Sequence, residues 1–152
     1  MTTAVSPSIR AANPGDLESV QALLRASDLP VEGVPVTLDA FLVAEQDDAV
    51  VGVIGLECYG ADALLRSAVV HPGLRGTGLG ARLVDAVIAL AGRRGIDVLW
   101  LLTTTAERWF PRFGFEVVAR TDVPVPVQAS LEFRGACPSS ATVMRRADKP
   151  PR

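Results

Sequence analysis

The stretch Arg75-Gly76-Thr77-Gly78-Leu79-Gly80 decides how the rest of this chain is read. It lies between an apolar run, Leu64 to Val70, and an amphipathic run that begins at Leu79. Gly76, Gly78 and Gly80 let the backbone take positive φ and pass close to a ligand, so successive N–H groups can turn toward one oxyanion. A helix starting at Leu79 would add its unpaired first-turn amides and the positive end of its dipole. A strand, an anion cradle and a helix in that order suit a diphosphate.

Working outward, Leu79, Leu83, Val87 and Leu90 recur at helical spacing, and Arg93, Arg94 and Gly95 close the helix near Gly92. Ile96 to Leu102 is a continuous apolar run, the pattern of a strand buried on both faces, and Thr103-Thr104-Thr105 marks its end. Ala106 to Phe113 reads as a second short helix despite Pro111, with Gly114 as its stop and Phe115 to Ala119 as the next strand. Pro124-Val125-Pro126 precedes a predicted helix from Val127 to Arg134, and Ala141 to Arg145 reads as the last strand. On the N-terminal side, a strand over Ser8 to Ala11 leads through Asn13-Pro14-Gly15-Asp16 into a helix from Asp16 to Arg25. Leu29-Pro30 and Gly33-Val34-Pro35 then interrupt regular structure in an exposed, substrate-facing connection. Asp47-Asp48 separates Phe41–Glu45 from Ala49–Tyr59 as a hairpin, and Gly60-Ala61-Asp62 turns the chain into Ala63 to Val70. The order predicts a mixed α+β fold around one central sheet.

The 152 residues, 49% of them apolar, fit one domain with its core between about residues 9 and 145. Fifteen basic and 17 acidic side chains leave a formal charge of −2, and the basic residues do not alternate with aromatics, which argues against nucleic acid as a partner. No apolar run approaches the ~20 residues of a membrane span. Met1 to Arg10 lacks the regions of a signal peptide, so no membrane partner and a cytoplasmic location are expected. Cys58 and Cys137 are expected to be reduced, buried thiols outside any thiolate cluster, and no metal is expected.

Other phosphate loops fit less well. A Walker loop needs a lysine and a hydroxyl after its last glycine, whereas Gly80 is followed by Ala81-Arg82. Gly76-x-Gly78-x-x-Ala81 matches a loose dinucleotide fingerprint, yet the acidic residue at roughly the right distance, Asp97, precedes its strand. Val70-His71-Pro72 followed by Arg75-x-x-Gly78-x-Gly80 resembles the acetyl-CoA loop of the GCN5-related N-acetyltransferase (GNAT) family. Ala106-Glu107-Arg108-Trp109-Phe110-Pro111-Arg112-Phe113-Gly114-Phe115 resembles that family's second landmark, an alanine, two aromatics and a Gly-Phe pair that opens the next strand. The resemblance spans about Ile9 to Met144 and implies the GNAT fold, a mostly antiparallel sheet splayed around an acetyl-CoA cleft and flanked by helices.

The resemblance implies that the amides of Arg75, Gly76, Thr77, Gly78, Leu79, Gly80 and Ala81 hold the pyrophosphate of acetyl-CoA, with Arg75 and Arg82 adding charge. Main-chain groups of Ala68, Val69 and Val70, on a bulged strand, would pair with pantetheine, and an N–H near Val70 would polarise the thioester carbonyl. Phe110 would flank the cofactor. The implied reaction is direct acetyl transfer to the amine of a small-molecule acceptor. Homodimers are common in the family, and the apolar, Pro-rich segment after Arg120 is suited to such a contact.

Direct transfer needs a neutral amine, so a base or water chain must take a proton. Glu57, an acidic residue late in an apolar strand, is the first candidate, with an exposed edge carboxylate as the alternative; Glu45, beside the Asp47-Asp48 turn, is the second. His71 precedes Pro72 and reads as a surface turn residue. The family's second landmark often carries a tyrosine that protonates the departing thiolate, but here the position is Phe110. Thr103 stands where many members have an asparagine, and its hydroxyl has three readings: catalytic water or cofactor contact, or a cap for the next helix. Arg66, a guanidinium inside an apolar strand, with Ser67 beside it, reads either as a clamp for a substrate carboxylate or as an internal ion pair with Glu57.

Leu64-Leu65-Arg66-Ser67, Leu102-Thr103-Thr104-Thr105-Ala106-Glu107, and Glu132-Phe133 with Cys137-Pro138-Ser139-Ser140-Ala141 and Met144 resemble a bacterial branch of arsenic-resistance N-acetyltransferases. That branch implies a small amino-acid-like acceptor such as an organoarsenical or phosphinic amino acid. A protein lysine or N-terminal acetyltransferase and a non-catalytic acyl-CoA-binding module are the alternatives.

Overall fold

The computed structural model describes residues 6–130 and 141–147. In chain order the elements are β1 (Ser8–Ala11), α1 (Leu17–Ala26), β2 (Phe41–Gln46), β3 (Ala49–Tyr59), β4 (Asp62–Val70), α2 (Leu79–Arg93), β5 (Val98–Thr103), β6 (Glu116–Val117), the single turn α3 (Val125–Gln128) and β7 (Thr142–Ala147). The strands make one sheet in the order β1-β2-β3-β4-β5-β7-β6. Among the described strands only the β4–β5 pair is parallel.

Local chemistry sets most of these boundaries. Asp47 and Asp48 both take positive φ, 51° and 64°, the two-residue reversal whose twist matches a right-handed hairpin. Asn13 and Asp16 cap one another: Asn13 Oδ1 accepts from the Gly15 amide, and the Asp16 carboxylate accepts from the Asn13 amide. Asp16 thereby closes a 3₁₀ turn, Pro14–Asp16, and α1 begins one residue later than expected. α2 ends at Arg93, with Gly95 at φ 75° and the Ile96 amide donating to the Ala91 carbonyl, a left-handed closure that satisfies the last carbonyls.

The sheet is covered on both faces. Leu79, Leu83, Val84, Val87 and Ala91 of α2 pack on Leu42, Ile54, Leu56, Leu65, Leu99 and Leu101. On the opposite face Val20 and Leu24 of α1 pack on Phe41, Val43, Val53 and Val69, while Leu64, Trp100, Val127 and Val143 form a smaller cluster. β5 therefore contributes to a cluster on each face, as its unbroken apolar run predicts.

Four expectations are corrected. The helix predicted from Ala106 to Phe113 is only a 3₁₀ turn, Phe110–Phe113, because Pro111 has no N–H to donate and its ring forbids an uninterrupted α-helix. The strand predicted from Phe115 to Ala119 shrinks to Glu116–Val117. The helix predicted over Val127 to Arg134 begins earlier, at Val125 with Pro126 in its first turn, and ends at Gln128; Ala129 and Ser130 are outside it, and residues 131–134 lie outside the described residues. Cys58, expected to be buried, is a free, exposed thiol at the end of β3, and Cys137 lies outside the described residues. Among the described residues no helix is long and apolar enough to cross a membrane.

Candidate active site

β4 and β5 are hydrogen-bonded at one end only. Asp62, Ala63 and Leu64 pair with Val98, Leu99 and Trp100, and the ladder then stops. Trp100 Nε1 donates to Asp62 Oδ1 at 2.9 Å and ties down the joined end. Beyond Leu64 the strands part, and a cleft of about 550 Å³ opens between Arg66–Val70 on one side and Leu101–Ala106 on the other. Its floor is apolar, with Ile54, Leu65, Leu83 and Val84 all buried.

The wall formed by β4 is irregular. Gly55 pairs with Arg66 and Val53 with Val69, so Ile54 alone stands opposite Ser67 and Ala68. This is a β-bulge, and Ser67 carries it at φ 61°, in the left-handed region. The bulge interrupts the β3–β4 ladder at Ser67 and Ala68, both of which line the cleft.

The glycine loop stands at the mouth of this opening. Gly76 and Gly78 take φ 82° and 88°, and Gly78 is the N-cap of α2. The first helical hydrogen bond runs from the Arg82 amide to the Gly78 carbonyl at 3.1 Å, which leaves the amides of Leu79, Gly80 and Ala81 without an acceptor inside the helix. A Cβ at Gly76 or Gly78 would meet nothing within 4 Å, so the space beside them is open. Gly80 serves differently: it is helical, and an added Cβ would lie 3.6 Å from the Trp109 ring. Trp109 packs against this turn and stacks edge-on against Phe110 and Phe113 at 5.0 and 4.9 Å. These features fit a CoA pyrophosphate: open first-turn amides, a glycine cap and Arg75 on the cleft wall.

Of the residues selected from sequence, Arg66, Ser67, Ala68, Val69, Val70, Arg75, Gly80, Thr103 and Phe110 line the cleft together. Gly76, Thr77, Gly78, Leu79 and Ala81 belong to the adjoining loop and first helical turn. Arg82 donates instead to the Pro7 carbonyl at 2.8 Å. Thr103 Oγ1 accepts from the Ala106 amide at 2.9 Å, the capping role, and keeps its own proton. His71 is an exposed turn residue whose Nδ1 accepts from the Gly73 amide.

Glu57 does not line the cleft; it sits behind it. Its Oε1 accepts from Arg66 Nη1 and its Oε2 from the Tyr59 hydroxyl. The Arg66 side chain is fully buried, with Nη2 donating to the Glu32 carbonyl at 2.8 Å and the Pro30 carbonyl at 3.4 Å, and Nε to Ser67 Oγ at 3.0 Å. Of the two readings of Arg66, the structure contains the internal ion pair. An acceptor carboxylate would have to displace Glu57 or these carbonyls. Glu45 is held by Arg10 at 2.9 Å, and the same guanidinium keeps the Asp16 carboxyl below the usual carboxylate range.

The connection after α1, expected from its Leu29-Pro30 break to face substrate, does border the cleft, through Ser27, Asp28, Leu29 and Pro30, though the sequence does not single out Ser27 and Asp28. No periodicity marks which of its residues reach the opening.

A mostly antiparallel sheet opened at its parallel β4–β5 pair, with open helix amides beside the gap, defines the N-acetyltransferase class of folds. Residues 37–117, more than half of the chain, match the family model described as an acetyltransferase (GNAT) domain, and the chain belongs to that family. It is 34% identical over 99 residues to an amino-acid acetyltransferase of Aeromonas salmonicida, covering 64% of this chain and 22% of that protein. N-acetylglutamate synthase from Neisseria gonorrhoeae, solved with coenzyme A and N-acetyl-glutamate, has a similar structure, with TM-score 0.82 and 23% identity over 98% of this chain and 37% of that one. A GNAT-family acetyltransferase from Staphylococcus aureus gives TM-score 0.74 and 20% identity, over 95% of this chain and 100% of that one. The chain spans only 22% to 31% of the length of the curated amino-acid acetyltransferases it matches.

Proposed function

We propose that this protein transfers the acetyl group of acetyl-CoA to the amine of a small, amino-acid-like acceptor. The observation that carries this reading is the meeting of two features, the Gly78-capped amides of α2 and the cleft that the bulged stretch of β4 lines. The first binds a diphosphate; the second lets a thiol-ended arm lie along β4 as an added strand would. The similarity to amino-acid acetyltransferases supports the acceptor class.

In this reading the amides from Arg75 to Ala81 hold the pyrophosphate, and Ala68, Val69 and Val70 align the arm through their main chain. Trp109 and Phe110 close one side of the cleft and exclude water. Acetyl-CoA supplies an activated thioester whose carbonyl carbon the amine attacks. Glu57 stands behind the cleft in its ion pair with Arg66, so the proton that the amine loses passes to water at the cleft and not directly to that carboxylate. Thr103 keeps a hydroxyl proton for the departing thiolate, the task that Phe110 cannot perform.

Release of free thiol from acetyl-CoA, followed across amino acids, organoarsenical and phosphinic amino acids, and a lysine peptide, tests the proposal. Saturable release with an amino-acid-like acceptor is expected. A lysine peptide as the sole acceptor would redirect the reading to protein modification, and no release with any of them would overturn it.

A further inference from the structure

We infer that the Ser67 hydroxyl, polarised by Arg66, donates a hydrogen bond to the negative charge that forms on the thioester oxygen during acyl transfer. This rests on the transferase reading above and adds a catalytic residue to it.

Backbone preference does not explain a serine at this position. Its φ of 61° is one that a glycine adopts without a Cβ clash, so a side chain here is carried against local strain. The residue is 7% exposed, sits on the bulge rather than in a ladder, and lines the cleft.

The hydrogen bonding of its hydroxyl gives that side chain a direction of action. Ser67 Oγ accepts from Arg66 Nε at 3.0 Å. An arginine has donors only, so this bond uses a lone pair on the serine oxygen and leaves the hydroxyl proton to be donated elsewhere. Among the described residues none accepts it. A hydroxyl whose oxygen already accepts from a cation is a stronger donor, because the two bonds polarise one another. Arg66 cannot swing away: its side chain is fully buried and is fixed by Glu57 and by the carbonyls of Glu32 and Pro30. The donor is thus preorganised, the condition under which a single hydrogen bond to a developing oxyanion has a large effect on rate.

The electrons account for the need. As the amine lone pair forms the C–N bond, the carbonyl π pair moves to oxygen, and Ser67 donates to that oxyanion without giving up its proton. Collapse restores the C=O bond and breaks the C–S bond, with its electron pair leaving on sulfur. The surplus amine proton passes to the proton acceptor of the site.

Two substitutions separate the hydroxyl from the backbone. Ser67→Ala removes the hydroxyl and keeps the strained φ; Ser67→Gly removes the hydroxyl and relieves the strain. With acetyl-CoA and the acceptor found in the thiol-release screen, both should lower kcat by about 10²-fold, with KM for acetyl-CoA within about twofold of wild type. Ser67→Gly should do so while its Tm equals or exceeds that of wild type. An active wild type whose Ser67→Gly variant keeps kcat overturns the inference and leaves the transferase reading standing. Wild-type protein that binds acetyl-CoA by calorimetry but never transfers acetyl overturns both.

Discussion

Removing the Glu57 carboxylate should destabilise this protein more than removing the Arg66 guanidinium with which it pairs. The Arg66 side chain has no solvent exposure, whereas that of Glu57 keeps 16%. Glu57→Ala removes the carboxylate from a wholly buried cation and leaves the carbonyls of Glu32 and Pro30 and the Ser67 hydroxyl among its partners. Breaking a buried pair by deleting one partner costs about 3–5 kcal/mol, and the partners that Arg66 keeps place this case at the lower end, ~3 kcal/mol. Arg66→Met leaves a carboxylate that water reaches and Tyr59 still donates to, for which about 1–2 kcal/mol is expected. The double variant Glu57→Gln with Arg66→Met removes both charges together and should recover most of the loss. Urea denaturation at neutral pH measures all three; ~3 kcal/mol in a chain of this size lowers the melting midpoint by about 6–12 °C. The reasoning is refuted if Glu57→Ala is no worse than Arg66→Met, or if the double variant loses as much as the two single variants added together.

Three further outcomes are expected. Gly78→Val places a β-branched residue at φ 88°, so it should cost about 1–3 kcal/mol of stability and, in the folded variant, raise KM for acetyl-CoA at least tenfold; an unchanged KM would remove the cradle from the cofactor site. Asp16→Asn breaks the two bonds from Arg10 at 2.8 and 2.9 Å and should cost about 2 kcal/mol at pH 7. Because Arg10 depresses the Asp16 pKa in the folded state, this stabilisation is complete above the unfolded value, near pH 4, and fades as pH falls through the folded value. Wild-type and variant urea midpoints should therefore converge in acid, and a gap independent of pH would exclude the ion pair as its cause. Gly55→Ala drives a Cβ into the Phe41 ring in the core and should cost about 1–3 kcal/mol; a neutral result would mean that Phe41 has room to move.

Much of this fold is legible in one dimension because its causes are local. The Asp47-Asp48 reversal, the Asn13–Asp16 cap, the Gly78 start of α2 and the apolar run of β5 each depend on residues a few positions apart. Where a local signal conflicts with itself, as in the aromatic segment interrupted by Pro111, the predicted helix fails.

The loop from Arg75 to Gly80 determines by sequence alone that an anion cradle follows a strand and precedes a helix, since backbone freedom and helix-end amides are properties of neighbouring residues. Tertiary structure alone decides where that cradle opens. The end of the β4–β5 ladder after Leu64, the bulge at Ser67 and the seating of Trp109 over Gly80 all arise from partners distant along the chain. The same holds for Arg66, whose partners lie 9, 34 and 36 residues away at Glu57, Glu32 and Pro30. Its guanidinium becomes an internal anchor because the fold brings acceptors to it before any substrate can, and no spacing in the sequence encodes that proximity.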